Sequence, residues 1–119
     1  MQLKLDVRTL DDGIVVVECA GRIIFGEETS ELREHVRGLI ASGGRIVLDL
    51  GEVTYIDSGG LGTLVALYTT AQNSGASIKL ADLTKRVGDL LQVTKLLTVF
   101  EVYDTEDEAV QSFRKGAAA

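Results

Sequence analysis

Hydrophobic residues follow two different periods in the first third of the chain. Residues 2–7 alternate between apolar and polar side chains, as in a half-buried edge strand. After a turn at residues 11–13, the segment 14–20 is almost continuously apolar, so these two strands are predicted to form a hairpin. A helix then runs from residue 27 to the Ser-Gly-Gly sequence at 42–44, which ends it. Its apolar stripe consists of Leu32, Val36, Leu39 and Ile40.

The remaining sequence alternates between short apolar strands and helices. Strands are predicted at residues 45–50, 77–83 and 98–103, and helices from Ser58 to Asn73, from Thr84 and from Thr105. Thr105 and Glu108 have the spacing of a capping box. The resulting order is ββαβαβαβα. Strands that alternate with helices pair in parallel, so the pattern predicts an α/β fold with a mixed, mostly parallel β-sheet and packed helices.

The chain has the size of one domain. Its 119 residues are enough to bury a hydrophobic core without disulfides or a structural metal, and no linker or repeat divides them. We therefore predict a single domain over residues 1–113. Residues 114–119 end in Gly-Ala-Ala-Ala and are predicted to form a flexible tail.

Composition narrows the class of partner. The formal net charge is −6, which argues against a surface for nucleic acid or anionic membranes, because those partners require clustered lysine and arginine. The one cysteine, Cys19, cannot form an intramolecular disulfide, and the N-terminal residues lack the apolar block of a signal peptide. We expect a cytoplasmic protein that neither contacts nucleic acid directly nor inserts into a membrane.

Charge is absent from one long segment, Ser58 to Ile78. In a chain with 25% charged residues, a window of this length without charge has a probability of roughly 0.2%. Its glycine, threonine and asparagine content is too high for a membrane-spanning helix. Most of this segment, from Ser58 to Asn73, is therefore predicted to be a helix of a water-soluble domain, with an unusual surface.

The two sides of this helix differ in size and hydrophobicity. The side predicted to face the sheet carries Leu61, Leu64, Val65 and Tyr68. The opposite side carries only small, uncharged residues, namely Gly62, Thr63, Ala66, Thr69, Thr70 and Asn73. Two interpretations are open: another layer of the same domain covers this side, or it is a docking surface for another protein.

The sequence Asp57-Ser58-Gly59-Gly60 suggests catalysis or phosphate binding, but the required companions are missing. A nucleophilic serine needs a base, and the only histidine, His35, lies at the edge of the first helix's apolar stripe. A phosphate-binding loop needs a lysine where Thr63 stands. Histidine, cysteine and carboxylates show no spacing typical of a metal site. We expect no catalytic residue, no cofactor and no metal.

Ser58 has two interpretations at the start of this helix. Its hydroxyl could serve only as a helix cap. Alternatively, Ser58 is a phosphorylation site, because the positive end of the helix would tolerate a phosphate while the uncharged side would gain close to two negative charges. A partner packed on that side would then be expelled without unfolding the domain.

The segment RIVLDLGEVTYIDSGGLGTLVAL, residues 45–67, resembles the central part of STAS domains of bacterial anti-sigma factor antagonists. In that family a strand ending in Val-Leu-Asp-Leu leads to Asp-Ser-Ser-Gly-Leu or Asp-Ser-Thr-Gly-Leu at the start of a helix. The resemblance extends over residues 3–113. It implies a single STAS domain that is a regulated ligand and not an enzyme.

The resemblance also implies partners and a site. Its members bind an anti-sigma factor that is also a serine kinase, are phosphorylated at the serine corresponding to Ser58, and are restored by a PP2C-type phosphatase. We predict that partner binding involves Asp57, Ser58, Gly59, Gly60, Gly62, Thr63, Ala66 and Ile24. The alternative is a STAS subunit of a membrane-associated transport or signalling complex that phosphorylation does not regulate.

The chain differs from the family pattern in two segments. Gly59 stands where the family usually has serine or threonine. After the second strand, Arg22 replaces an acidic residue of many members, and Ile24 stands where they have an aspartate. If residues 23–25 lie beside the helix that begins at Ser58, they would extend its uncharged surface. The differences therefore predict a different partner, with an apolar or acidic surface complementary to this region.

Overall fold

The computed structural model describes the backbone of residues 3–118 and the side chains of residues 3–115. The elements are β1 (Lys4–Thr9), β2 (Val15–Ile23), α1 (Glu27–Ala41), β3 (Arg45–Ile56), α2 (Ser58–Ser74), β4 (Ser77–Ala81), α3 (Lys85–Val93), β5 (Val102–Tyr103) and α4 (Glu106–Ala118). This is the predicted order. The predicted α/β fold is confirmed.

The strands form one five-stranded sheet in the order β1-β2-β3-β4-β5. β1 pairs with β2 in antiparallel orientation, and each of the other neighbouring pairs is parallel. The predicted hairpin and the mixed, mostly parallel sheet are therefore both confirmed. Because β3 lies in the middle of the sheet, its carboxyl end is flanked by other elements, and α2 begins there.

Helices cover both faces of the sheet. Apolar residues of α1, α2 and α3 form one core with one face of the strands, whereas Ala109, Val110 and Phe113 of α4 pack on the other face. Consecutive residues of β2 therefore enter different cores, since Val15 and Val17 contact the first and Val16 contacts the second. This double burial explains why residues 14–17 are continuously apolar.

The strands differ from the prediction in their extent or exposure, and β4 ends at Ala81 rather than at residue 83. β3 continues to Ile56 and pairs with β2 across two irregularities in register. β5 is restricted to Val102 and Tyr103, because the residues before it form turns, with the Phe100 N–H donating to the Leu96 carbonyl at 3.3 Å. Val7 belongs to the apolar side of the alternating segment 2–7 but is 43% exposed, since the edge strand β1 has its main contacts with β2 alone.

The capping residues predicted for the last two helices are confirmed. Thr84 caps α3 and accepts a hydrogen bond from the Val87 N–H at 3.2 Å, and Thr105 accepts one from Glu108 at 3.1 Å. α4 continues to Ala118, and Arg114 forms an ion pair with Asp12 at 2.7 Å. The flexibility expected for residues 114–119 stays a prediction, with Ala119 outside the described residues. Within residues 3–118, no helix is long and apolar enough to cross a membrane.

Candidate functional site

The start of α2 is defined by Asp57, which leaves the end of β3 in an extended conformation. Its Oδ1 atom accepts a hydrogen bond from the Gly60 N–H at 2.7 Å. Asp57 is therefore the helix cap, and the interpretation of Ser58 as the cap is wrong. Ser58 is the first residue of the helix, and its side chain is exposed.

Asp57 also connects α2 to the loop between β2 and α1. The Phe25 N–H lies 3.2 Å from Oδ1 and 3.0 Å from Oδ2 of Asp57, and the Asp57 N–H donates to the Ile23 carbonyl at 3.3 Å. Hydrogen bonds from Gly60 and then Phe25 hold the pKa of Asp57 below its ordinary value. The negative charge of this residue is thus balanced by backbone N–H groups.

One exposed stripe of α2 carries no charge. Beyond Ser58 it consists of Gly62, Ala66, Thr69, Thr70 and Asn73, all of which are exposed. The interpretation that another layer of this domain covers the stripe is therefore wrong within the described residues. The small side chains of this stripe would let a partner's backbone approach closely.

Two residues predicted to contact the partner are buried in the domain. Thr63 is 5% exposed because α1 packs over it, and its Oγ1 atom donates to the Gly59 carbonyl at 2.9 Å and accepts from Arg33 at 3.5 Å. Gly60 is buried beneath the β2–α1 loop, where an added Cβ would lie 2.0 Å from the Ile23 carbonyl oxygen. The predicted exposure of Thr63 is therefore wrong, and both residues support the site from inside the domain.

Residues 23–25 do lie beside the start of α2. Ile23 is fully buried and Ile24 is half-buried, whereas Phe25 is 78% exposed. A Cβ added at Gly59 would lie 2.6 Å from the Phe25 Cβ. The uncharged surface around Ser58 is therefore extended by this loop, and sequence reasoning did not single out Phe25 as its most exposed member.

A second polar region lies on the face of the sheet that α4 partly covers. Carboxylate oxygens of Glu18, Asp49 and Glu106 lie within 4.8 Å of one another. Burial, followed by the proximity of Glu106 and Asp82, raises the pKa of Asp49 to about 6. Sequence reasoning missed this region, although Glu18 and Asp49 are isolated charges within apolar strands.

Arg8 on β1 compensates part of this negative charge. Its guanidinium forms an ion pair with Glu106 and lies 3.5 Å from Glu18. Burial alone would raise the pKa of Glu106, but the hydrogen bonds with Asp49 and Arg8 hold it below its ordinary value. Of Asp49 and Glu106, Asp49 is therefore the carboxyl group that more readily takes a proton.

Fold and site together define a class: a small α/β domain whose second helix presents an exposed serine next to a capping aspartate. The family model of the STAS domain matches residues 7–109. The chain therefore belongs to the STAS domain family, as the sequence predicted.

Several proteins similar to this chain are named anti-sigma factor antagonists. The chain is 30% identical over 112 residues to the anti-sigma-B factor antagonist of Bacillus subtilis (strain 168). This alignment covers 93% of this chain and 100% of the relative. A crystal structure of a candidate anti-sigma factor antagonist from Thermotoga maritima superposes with a TM-score of 0.82 at 26% identity, over 92% of this chain and 94% of that one.

The fold is also that of the anti-sigma factor antagonist SpoIIAA in its unphosphorylated form. The TM-score is 0.72 at 17% identity, over 93% of this chain and 98% of the other. At this identity the similarity concerns the fold alone.

Proposed function

We propose that this protein is an anti-sigma factor antagonist. It binds an anti-sigma factor that is also a serine kinase, and thereby releases a sigma factor. The observation that carries the proposal is the exposed Ser58 at the start of a helix with an uncharged outer stripe. The name of the Bacillus subtilis relative supports the same assignment. In this role the chain is a ligand and a kinase substrate, not an enzyme.

Phosphorylation at Ser58 is the proposed off-switch. The Ser58 oxygen attacks the γ-phosphorus of ATP, the bond between that phosphorus and the bridging oxygen of ADP breaks, and a kinase base takes the hydroxyl proton. ATP and magnesium belong to the kinase, and the chain supplies only the hydroxyl. A PP2C-type phosphatase would hydrolyse the phosphoserine and restore binding.

The position of Ser58 separates binding from folding. A phosphate on the first residue of α2 meets the positive end of the helix, so the fold tolerates it. The same phosphate adds close to two negative charges beside the uncharged stripe that begins at Gly62. A penalty of about 3 kcal/mol for a packed partner would weaken binding about 100-fold.

Asp57 contributes by fixing where Ser58 is presented. Its carboxylate is already engaged by the N–H groups of Gly60 and Phe25. It is therefore poorly placed to act as a base, and we assign it a positioning role. Gly62 and Ala66 would contact the partner directly, while the buried Gly60 and Thr63 support the helix start.

The test is to incubate the protein with its cognate anti-sigma kinase and ATP. We expect one phosphate, located at Ser58 by mass spectrometry and absent from Ser58→Ala. Ser74→Ala is the matched control, since Ser74 is exposed at the other end of the same helix, and it should still be phosphorylated. In calorimetry, Ser58→Asp should bind about 100-fold more weakly, with a melting temperature within a few degrees of the wild type.

Two outcomes would contradict the proposal. A phosphate found reproducibly on another residue would remove Ser58 from the mechanism. No phosphate with a verified partner, together with equal affinity of Ser58→Asp and wild type, would favour the unregulated subunit of a membrane-associated complex.

A further inference from the structure

Phe25 is the one described phenylalanine that the fold leaves in solvent. The other two phenylalanines, Phe100 and Phe113, are 5% and 7% exposed, whereas Phe25 is 78% exposed. A single exposed apolar residue is ordinary on a protein surface. The contacts around Phe25 distinguish it from such a residue.

The backbone that carries Phe25 is held on both sides. Its own N–H lies within hydrogen-bonding distance of both carboxylate oxygens of Asp57. Gly26, the next residue, has a φ of 123°, which glycine adopts readily, and its N–H donates to Thr29 Oγ1 at 3.1 Å. A ring on a fixed backbone loses little conformational entropy when it enters a pocket, so this arrangement favours binding.

Gly59 makes room for Phe25 on α2. A Cβ added there would lie 2.6 Å from the Phe25 Cβ, 3.1 Å from its Cδ1 and 3.2 Å from its Cγ. Any other residue at position 59 would push the phenylalanine away from the helix. The absence of a side chain at Gly59 therefore lets Phe25 lie against the first turn of α2, one residue after Ser58.

We propose that Phe25 is the aromatic anchor with which this protein engages its anti-sigma factor, and that Gly59 permits the anchor to stand there. This inference rests on the function proposed above. The partner would offer an apolar pocket next to the point where its kinase site meets Ser58. Such a pocket is consistent with the position of Phe25, because Phe25 lies against Gly59, the residue that follows Ser58 in the first turn of α2, and Ile24 beside it in the chain is also uncharged.

An aromatic anchor at the centre of a contact surface contributes more than its neighbours. Truncation of such a residue to alanine commonly reduces the affinity by a factor of about 30 or more. We expect Phe25→Ala to bind the purified anti-sigma factor at least about 30-fold more weakly in calorimetry. Its melting temperature should stay close to that of the wild type, since the ring is mostly exposed.

Val7→Ala is the matched control for a lost exposed apolar side chain. Val7 is 43% exposed on β1 and pairs with Val17, six residues before the end of β2, so it lies roughly 20 Å along the sheet from the Phe25 loop. Val7→Ala should bind with wild-type affinity. Equal losses for Val7→Ala and Phe25→Ala would overturn the anchor.

A double-mutant cycle tests the link between the two positions. Gly59→Ala should weaken binding in the wild-type background, because the new methyl group displaces Phe25. In a Phe25→Gly background the opposing Cβ is gone, so Gly59→Ala should cause no further loss. Additive losses would show that Gly59 acts independently of Phe25 and would overturn the second half of the inference.

The same measurements separate this inference from the proposed function. If the wild type binds, Ser58→Asp weakens binding and Phe25→Ala does not, the function stands and the anchor is overturned. If the wild type fails to bind an anti-sigma factor that is active on its sigma factor, both proposals fail.

Discussion

Asp57 and Asp49 lie on one stretch of chain, at the end and in the middle of β3, and their carboxylates have opposite surroundings. Asp57 accepts hydrogen bonds from the N–H groups of Gly60 and Phe25, and its pKa is lowered. Asp49 is half-buried near Glu106 and Asp82, and its pKa is raised to about 6. Backbone dipoles thus favour the charged form at one site, while burial and like charges disfavour it at the other.

The difference shows how each region can respond to added charge. Around Asp57 the one carboxylate is balanced by the backbone, and the exposed surface of α2 is uncharged. A phosphate on Ser58 would therefore change the local charge substantially. Around Asp49 several carboxylates and Arg8 already compete, so one more charge would alter the surface much less.

The largest expected effect concerns the close approach of backbones beneath the Asp57 site. Gly60→Ala places a Cβ about 2.0 Å from the Ile23 carbonyl oxygen, so we expect a loss of about 3 kcal/mol in the free energy of unfolding. Urea denaturation measures it. Gly62→Ala is the control on the same helix, where a Cβ meets no atom within 4 Å, and it should gain about 0.5–1 kcal/mol. Equal losses at both positions would show that the close contact between Gly60 and the Ile23 backbone does not stabilise this region.

A smaller effect is expected from the carboxylate of Asp57. Asp57→Ala removes the cap of α2 and the acceptor for Phe25, and should cost about 1–2 kcal/mol at neutral pH. Because the folded pKa lies below the unfolded value, this stabilisation is present above the unfolded pKa and is lost as the pH falls through the folded pKa. When the free energies of unfolding of the wild type and Asp57→Asn are measured between pH 7 and pH 2, the two values should converge in acid. Parallel curves would contradict the lowered pKa.

The smallest effect has the opposite sign and concerns Asp49. Its folded pKa of about 6 lies above the ordinary value of 3.8, so the stability from this group is greatest below pH 3.8 and is lost as the pH rises through about 6. Asp49→Asn keeps an acceptor for the Gly51 N–H and should be more stable at pH 7, by less than about 1 kcal/mol because solvent screens the group.

The control for Asp49 is an exposed aspartate outside the cluster. Asp104→Asn, between β5 and α4, should leave the free energy of unfolding at pH 7 unchanged, because this exposed side chain lies outside the cluster. If Asp49→Asn were less stable than the wild type at pH 7, the cluster would be a stabilising network, and its contrast with Asp57 would disappear.

Local patterns predicted much of this molecule from the sequence. The order of elements, the hairpin and the caps at Thr84 and Thr105 were correct, because these features depend on residues only a few positions apart. The uncharged outer stripe of α2 was also readable, since helical periodicity assigns its residues to one side.

Tertiary structure decided what the sequence could not. Helical periodicity assigned Thr63 to the exposed side, but α1 packs over it. The periodicity of one helix does not show which other elements pack against it. The Phe25–Asp57 hydrogen bonds join residues 32 positions apart, and the Glu18–Asp49–Glu106 cluster joins two strands and a helix. Such contacts depend on how the elements pack, so Ser58 and its helix were visible in the sequence, while the loop that surrounds Ser58 was placed only by the fold.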